Sequence, residues 1–178
     1  MQRILVMGSS GSGKSTFSKR LSAITGIPMV SVDALYWKPG WVESGKDEFH
    51  ERLSAAARQP RWIMDGNFTS HLVELRRDAC DTLIWFDLPR VTCVVGILTR
   101  VAKSYGQVRP EMAEGCPEKI DLEFFRYVWT FRERIRPKLL AYFEGLRPDQ
   151  TFITFTSRAQ ADRYLSDLAR APQPASAH

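Results

Sequence analysis

The stretch that decides the fold is Gly8-Ser9-Ser10-Gly11-Ser12-Gly13-Lys14-Ser15, which satisfies the spacing GxxxxGK[ST] without a mismatch. Chance would produce it about once in a hundred chains of this length. Its flanks supply the context that its chemistry needs. Ile4-Leu5-Val6-Met7 ahead of it is an apolar run that stops at the glycines, and it reads as a buried strand over Arg3 to Met7. Phe17, Leu21 and Ile24 behind it recur at helical spacing, giving a helix from Gly13 to Thr25 with Gly26 as its C-cap. In such a unit the glycines let backbone N–H groups close around phosphate oxygens, and the helix N-terminus adds partial positive charge. Lys14 is then expected at the β- and γ-phosphates, and the Ser15 hydroxyl on Mg²⁺. Gly8, Ser9, Ser10, Gly11, Ser12, Gly13, Lys14, Ser15 and Thr16 are together the expected ATP cradle.

Further along the chain, apolar strands alternate with helical segments. Pro28 to Val32 reads as a second strand ending at Asp33, followed by a loop from Tyr36 to Gly45 and a helix from Asp47 to Arg58. Trp62-Ile63-Met64 is a third strand, stopping at Asp65-Gly66-Asn67, and a short helix covers Ser70 to Asp78. Thr82 to Phe86 is the fourth strand, closed by Asp87-Leu88-Pro89, with a helix from Arg90 to Ser104. Tyr105 to Lys119 holds two glycines, two prolines and mixed charge, which marks a loop. A long helix from Asp121 to Leu146, a fifth strand over Thr151 to Phe155 and a helix over Arg158 to Ala171 follow. The small polar ending from 172 to 178 reads as a disordered tail. The alternation predicts an α/β fold, a parallel sheet covered on both faces, in one domain over 1–171.

Composition sets the outer bounds. The chain has 178 residues, 44% hydrophobic and 25% charged, as in an ordinary globular domain. Apolar runs such as Cys93 to Leu98 fall well short of the roughly 20 residues of a membrane span, and the N-terminus lacks the pattern of a signal peptide. Cys80, Cys93 and Cys116 are odd in number with no CxxC spacing, which argues against a disulfide framework and fits a reducing cytoplasm. The net charge of +5 is dispersed, with no run of five basic residues and no helix-turn-helix signature or arginine-rich arm. That surplus suits a polyphosphate ligand as well as a nucleic-acid backbone.

Five stretches carry a resemblance: GSSGSGKST at the start, VDALYWKPGW at 32–41, MDGNF at 64–68, WFDLPR at 85–90 and RPEMAEGCPEKIDLEFFRYVW at 109–129. With them the chain, from Arg3 to about Ser157, resembles the adenylate-kinase-like branch of P-loop kinases. It is most similar to the small proteins described as DNA-topology-modulation or adenylate-kinase-related. The resemblance implies a P-loop three-layer sandwich with five parallel strands in the order 2-3-1-4-5. It also implies a lid over about 105–120 and ATP as phosphoryl donor. By the same resemblance Arg100, at the end of the helix before the lid, and Arg109 within it would lie against the ATP base and phosphates.

Two acids end strands beside the phosphate loop. Asp65 is the expected partner of Mg²⁺ or its waters, and the resemblance puts the acid of that strand nearer the metal. Asp87, before Leu88-Pro89 at a helix start, reads more simply as an N-cap. Asp33 falls on the acceptor side of the resemblance, where it could orient a hydroxyl and accept its proton, hold the metal's waters, or cap the following loop. True adenylate kinases continue from Asp-Gly into Phe-Pro-Arg-Thr, whose arginine clamps the acceptor's phosphate. Here Asp65-Gly66-Asn67-Phe68-Thr69 has no arginine, which tilts the reading toward a hydroxyl acceptor. A nucleotide acceptor stays open, since Lys38, Arg52 or Arg76 could supply the clamp. Tyr36, Trp37 and Trp41 could stack a base or sugar, or anchor their loop on the core.

On a continuous helix, Phe125, Trp129, Arg132, Arg136, Leu139 and Phe143 share one stripe. Two arginines in an apolar stripe either face the γ-phosphate as catalytic groups or pair with a core carboxylate such as Asp33 or Asp87. The sum is an ATP-dependent kinase with catalytic Lys14, Asp33, Arg132 and Arg136, using Mg²⁺ and a small acceptor. The alternative is a P-loop ATPase with a regulatory or DNA-binding role.

Overall fold

The computed structural model describes residues 1–68, 72–108, 114–117 and 122–171. The first strand, β1 (Arg3–Gly8), is buried on both faces, because its four consecutive apolar side chains feed two cores in alternation. Ile4 and Val6 pack with Phe17 and Leu21 of α1 (Lys14–Thr25), Ile97 of α5 (Arg90–Ser104) and Leu165 of α8 (Arg158–Arg170). Leu5 and Met7 point the other way, toward Leu53 of α3 (Lys46–Ala57) and Leu139 of α7 (Arg136–Phe143).

Parallel partners flank β1: β5 (Trp62–Asp65) on one side and β6 (Thr82–Phe86) on the other. Beyond them lie β2 (Met29–Ser31) and β7 (Thr151–Phe155), so the sheet runs β2-β5-β1-β6-β7. Counting sheet strands alone, this is the expected order 2-3-1-4-5. Registers Val6↔Asp65 and Gly8↔Phe86 bring the carboxyl ends of the three central strands to one edge, where parallel α/β sheets bind ligands.

Three expectations fail locally. The second strand stops at Ser31, whose hydroxyl accepts the Ala34 N–H at 3.2 Å and so caps a short helix, α2 (Val32–Tyr36). Asp33 therefore sits in a helical first turn rather than at a strand end. The following segment is no plain loop but a hairpin of β3 (Trp37–Lys38) and β4 (Val42–Glu43). The long helix is two helices, α6 (Leu122–Arg134) and α7, joined at Ile135. Pro137 is the reason, since it has no N–H to continue the ladder and its ring crowds the preceding turn.

That break dissolves the predicted stripe. On α6 the buried residues are Val128, in one core, and Phe131, in the other, while Trp129 is half exposed. The helix lies across the cores rather than along one. The short helix before β6 is α4 (Val73–Ala79), starting later than expected, and Cys80, Cys93 and Cys116 are free and buried.

Candidate active site

Each end of the phosphate loop is set by close packing. Gly11 has φ +76°, and a Cβ there would stand 2.1 Å from the Cys93 carbonyl oxygen. A Cβ on Gly96 would meet the Gly11 oxygen at 2.1 Å, so the loop rests directly on α5. Behind it, Arg158 donates to the carbonyls of Gly11 at 2.6 Å and Ser12 at 3.3 Å. These bonds turn the outward carbonyls away from the cradle. In front, Asn67 pairs with both backbone groups of Gly8, accepting its N–H and donating to its carbonyl.

Lys14 donates to the Ser9 carbonyl at 2.9 Å. Desolvation lowers its pKa below the usual lysine value, while the nearby Asp65 and Asp33 pull in the opposite direction. Ser15 Oγ donates to Asp65 Oδ2 in a very short contact, and Asp65 is buried at the end of β5. A hydroxyl and a buried carboxylate side by side are hard oxygen donors, the set that Mg²⁺ prefers, so these residues fit the ion.

The loop opens into a cleft of about 1000 Å³. Its two walls differ in chemistry. One wall carries Arg100 and Lys103 from α5 and Arg158 from α8, with Arg100 held 5.6 Å over the Phe124 ring. The other is built by α2, the β3–β4 hairpin and the end of β5, and presents Asp33, Trp37, Trp41, Asn67 and Phe68. Tyr127 reaches the same space from α6 beside Asn67, and burial raises its phenol pKa.

Several expected residues are engaged elsewhere. Arg136 forks onto Asp87, at 2.8 Å to Oδ1 and 2.6 Å to Oδ2, and Arg132 reaches the same carboxylate at 3.9 Å. Neither arginine lines the cleft among the described residues. Asp87 does not cap α5 either; the N-cap position is Pro89, and the guanidinium of Arg136 holds the Asp87 carboxyl below its ordinary range. Lys38 and Arg52 both pair with Glu48. Arg76 is fully buried and donates to the carbonyls of Gly66, Asn67 and Phe68. Arg109 lies outside the described residues, as do 110–113 and 118–120 of the expected lid and the tail from 172. The described parts of the lid meet through a bridge between Val108 and Pro117. They touch the hairpin through Trp41 Nε1 to the Pro117 carbonyl at 3.1 Å and Gly40 N–H to the Gly115 carbonyl at 2.9 Å.

No protein-family model and no curated protein sequence matches the chain. Solved structures do. One is a protein described as a "putative kinase" from Chloroflexus aurantiacus, 19% identical over 96% of this chain and 97% of that one, with a TM-score of 0.50. Another is shikimate kinase from Acinetobacter baumannii in complex with shikimate, 14% identical over 94% and 93% of the two chains, with a TM-score of 0.55. The fold is that of P-loop kinases. At such identities the likeness carries the architecture, and the chemistry has to be argued from the cleft.

Proposed function

We propose that the chain is an ATP-dependent phosphotransferase that moves the γ-phosphoryl group of Mg-ATP to a hydroxyl of a small acceptor. The observation that carries this reading is a juxtaposition: Lys14, the Ser15–Asp65 pair and Asp33 all line the one cleft. A hydrolase needs to place only water, whereas this cleft has a second wall, of acid and aromatics, facing the loop. Ser15 and Asp65 would hold Mg²⁺, which supplies positive charge to the β- and γ-phosphoryl oxygens.

In this reading the loop amides and Lys14 bind the triphosphate, and the basic wall with Arg100 orients the nucleoside end. Asp33 aligns the acceptor hydroxyl. The hydroxyl oxygen bonds to the γ-phosphorus as the bond from that phosphorus to the β–γ bridging oxygen breaks. ADP leaves with the electron pair, and the hydroxyl proton passes to Asp33. Because the transition state is loose, alignment counts for more than basicity. Arg132, part exposed and 3.9 Å from Asp87, is assigned the transferring group in this reading. Arg136 is a positioning residue.

The test is Lys14→Ala with Mg-ATP as donor. Turnover should fall by about 10² or more with little change in melting temperature, because Lys14 serves developing charge rather than the core. Retention of a tenth of wild-type turnover would sink the assignment.

A further inference from the structure

The acceptor wall is unusual in what it offers a ligand. Of the described cleft-lining residues from α2, the hairpin and the end of β5, none is lysine or arginine; the basic residues of the cleft come from α1, α5 and α8. The three basic side chains that the sequence offers as a clamp are, among the described residues, paired elsewhere: Lys38 and Arg52 with Glu48, and Arg76 with three backbone carbonyls. A phosphorylated acceptor would bring roughly −1.5 to −2 charges beside Asp33, with no basic side chain of that wall to pair it. Without a guanidinium fork that encounter is repulsive.

What the wall does offer is aromatic rings beside one acid. Asp33 opens α2 and Trp37 caps its end, donating its N–H to the Asp33 carbonyl, and both line the cleft. Trp41 stands edge-to-face with Trp37, ring centroids 5.4 Å and planes 72° apart, and Phe68 adds a third ring to the wall. Trp41 has φ +62° in the tight turn that joins Lys38 to Val42, which sets its ring beside Trp37.

Resting on the phosphotransferase reading, we infer that the acceptor is an uncharged hydroxyl compound carrying a flat aromatic ring, of the nucleoside kind. Its ring lies on a face of Trp37 and its hydroxyl meets Asp33.

The experiment measures ADP release by the full chain with Mg-ATP and each of adenosine, guanosine, cytidine and thymidine, their monophosphates, and the ring polyol inositol. At least one nucleoside should raise the rate about tenfold over the acceptor-free rate, with its monophosphate and inositol about tenfold poorer in kcat/KM. Trp37→Ala should raise KM for that nucleoside by about tenfold or more, and Trp37→Phe, which keeps a stacking face, should recover most of it. Preference for a monophosphate, equal use of inositol, no stimulation by any nucleoside, or an unchanged KM in folded Trp37→Ala would each overturn the inference. Calorimetric titration with Mg-ATP separates the two levels. Binding of ATP alongside any of those results overturns the acceptor class alone, whereas no binding of ATP brings down the phosphotransferase reading and the inference with it.

Discussion

Asn67 brackets Gly8: its side-chain oxygen accepts the Gly8 N–H at 2.9 Å, and its amide nitrogen donates to the Gly8 carbonyl at 2.8 Å. The loop after β5 is thereby fastened to the first residue of the phosphate loop, fixing the acceptor wall relative to the donor. Asn67→Ala leaves both Gly8 groups seeking partners, at about 1–3 kcal/mol for what stays unsatisfied. Asn67→Asp should be worse for ATP, because it loses the donor and sets a charge beside the triphosphate. Equilibrium unfolding and ATP titration check this; an Asp variant that binds ATP as wild type does would show that Asn67 only packs.

Arg158 makes the corresponding clasp on the outer side of the loop, through the carbonyls of Gly11 and Ser12. Its side chain is exposed, so solvent competes for these bonds, and about 1 kcal/mol is a fair ceiling. Arg158→Met should weaken ATP binding by about fivefold and move the melting temperature little. Calorimetry with unchanged affinity would reduce Arg158 to a surface residue.

Arg76 is a buried cation that donates to backbone carbonyls; burial pulls its pKa down to about 10, yet it stays charged at neutral pH. Its fork holds the carbonyls of Gly66, Asn67 and Phe68, and so aims the acceptor loop. Arg76→Met should cost about 3 kcal/mol by orphaning those carbonyls. Arg76→Lys should not rescue it, because an ammonium cannot span three fixed acceptors. Full stability in the Lys variant, read by chemical denaturation, would refute the clasp.

How much of this was legible in sequence follows from the range of the interactions. The phosphate loop, the strands and the Ser15 and Asp65 candidates rest on local signals: glycine spacing, apolar runs, an acid at a strand end. The expected order of the sheet came from family resemblance, and the pairing registers carry it. The helix of Asp33 was missed because Ser31 is an ordinary residue until its hydroxyl turns back on Ala34. The break before α7 was readable in Pro137 and was overridden by a period that ran through it. Asn67 to Gly8 spans 59 residues and Arg158 to Gly11 spans 147. No periodicity encodes such bonds; only the sheet order brings their ends together.

The last prediction separates Arg132 from Arg136, which a single helical stripe had joined. Arg136 makes a bidentate pair with Asp87, whose side chain is only 14% exposed, whereas Arg132 stands 3.9 Å from that carboxylate. Arg136→Met therefore strands a largely buried carboxylate and should destabilise by about 2 kcal/mol. That is less than a fully buried pair would cost, because Arg136 is part exposed and Arg132 remains nearby. The hydrogen bond from Arg136 lowers the pKa of Asp87. The stability from the pair is thus fully present above the ordinary carboxylate pKa and is lost as pH falls through the lower folded value. The gap between wild type and Arg136→Met should be constant near neutrality and close below about pH 4. Arg132→Met should leave stability nearly unchanged and instead lower kcat by about 10², if its guanidinium meets the charge developing on the transferred group. Unfolding curves across pH and steady-state rates on both variants decide it. A stability gap that persists in acid would remove the Asp87 pair as its cause, and normal turnover in Arg132→Met would leave the transferring phosphoryl group to Lys14 and the loop amides.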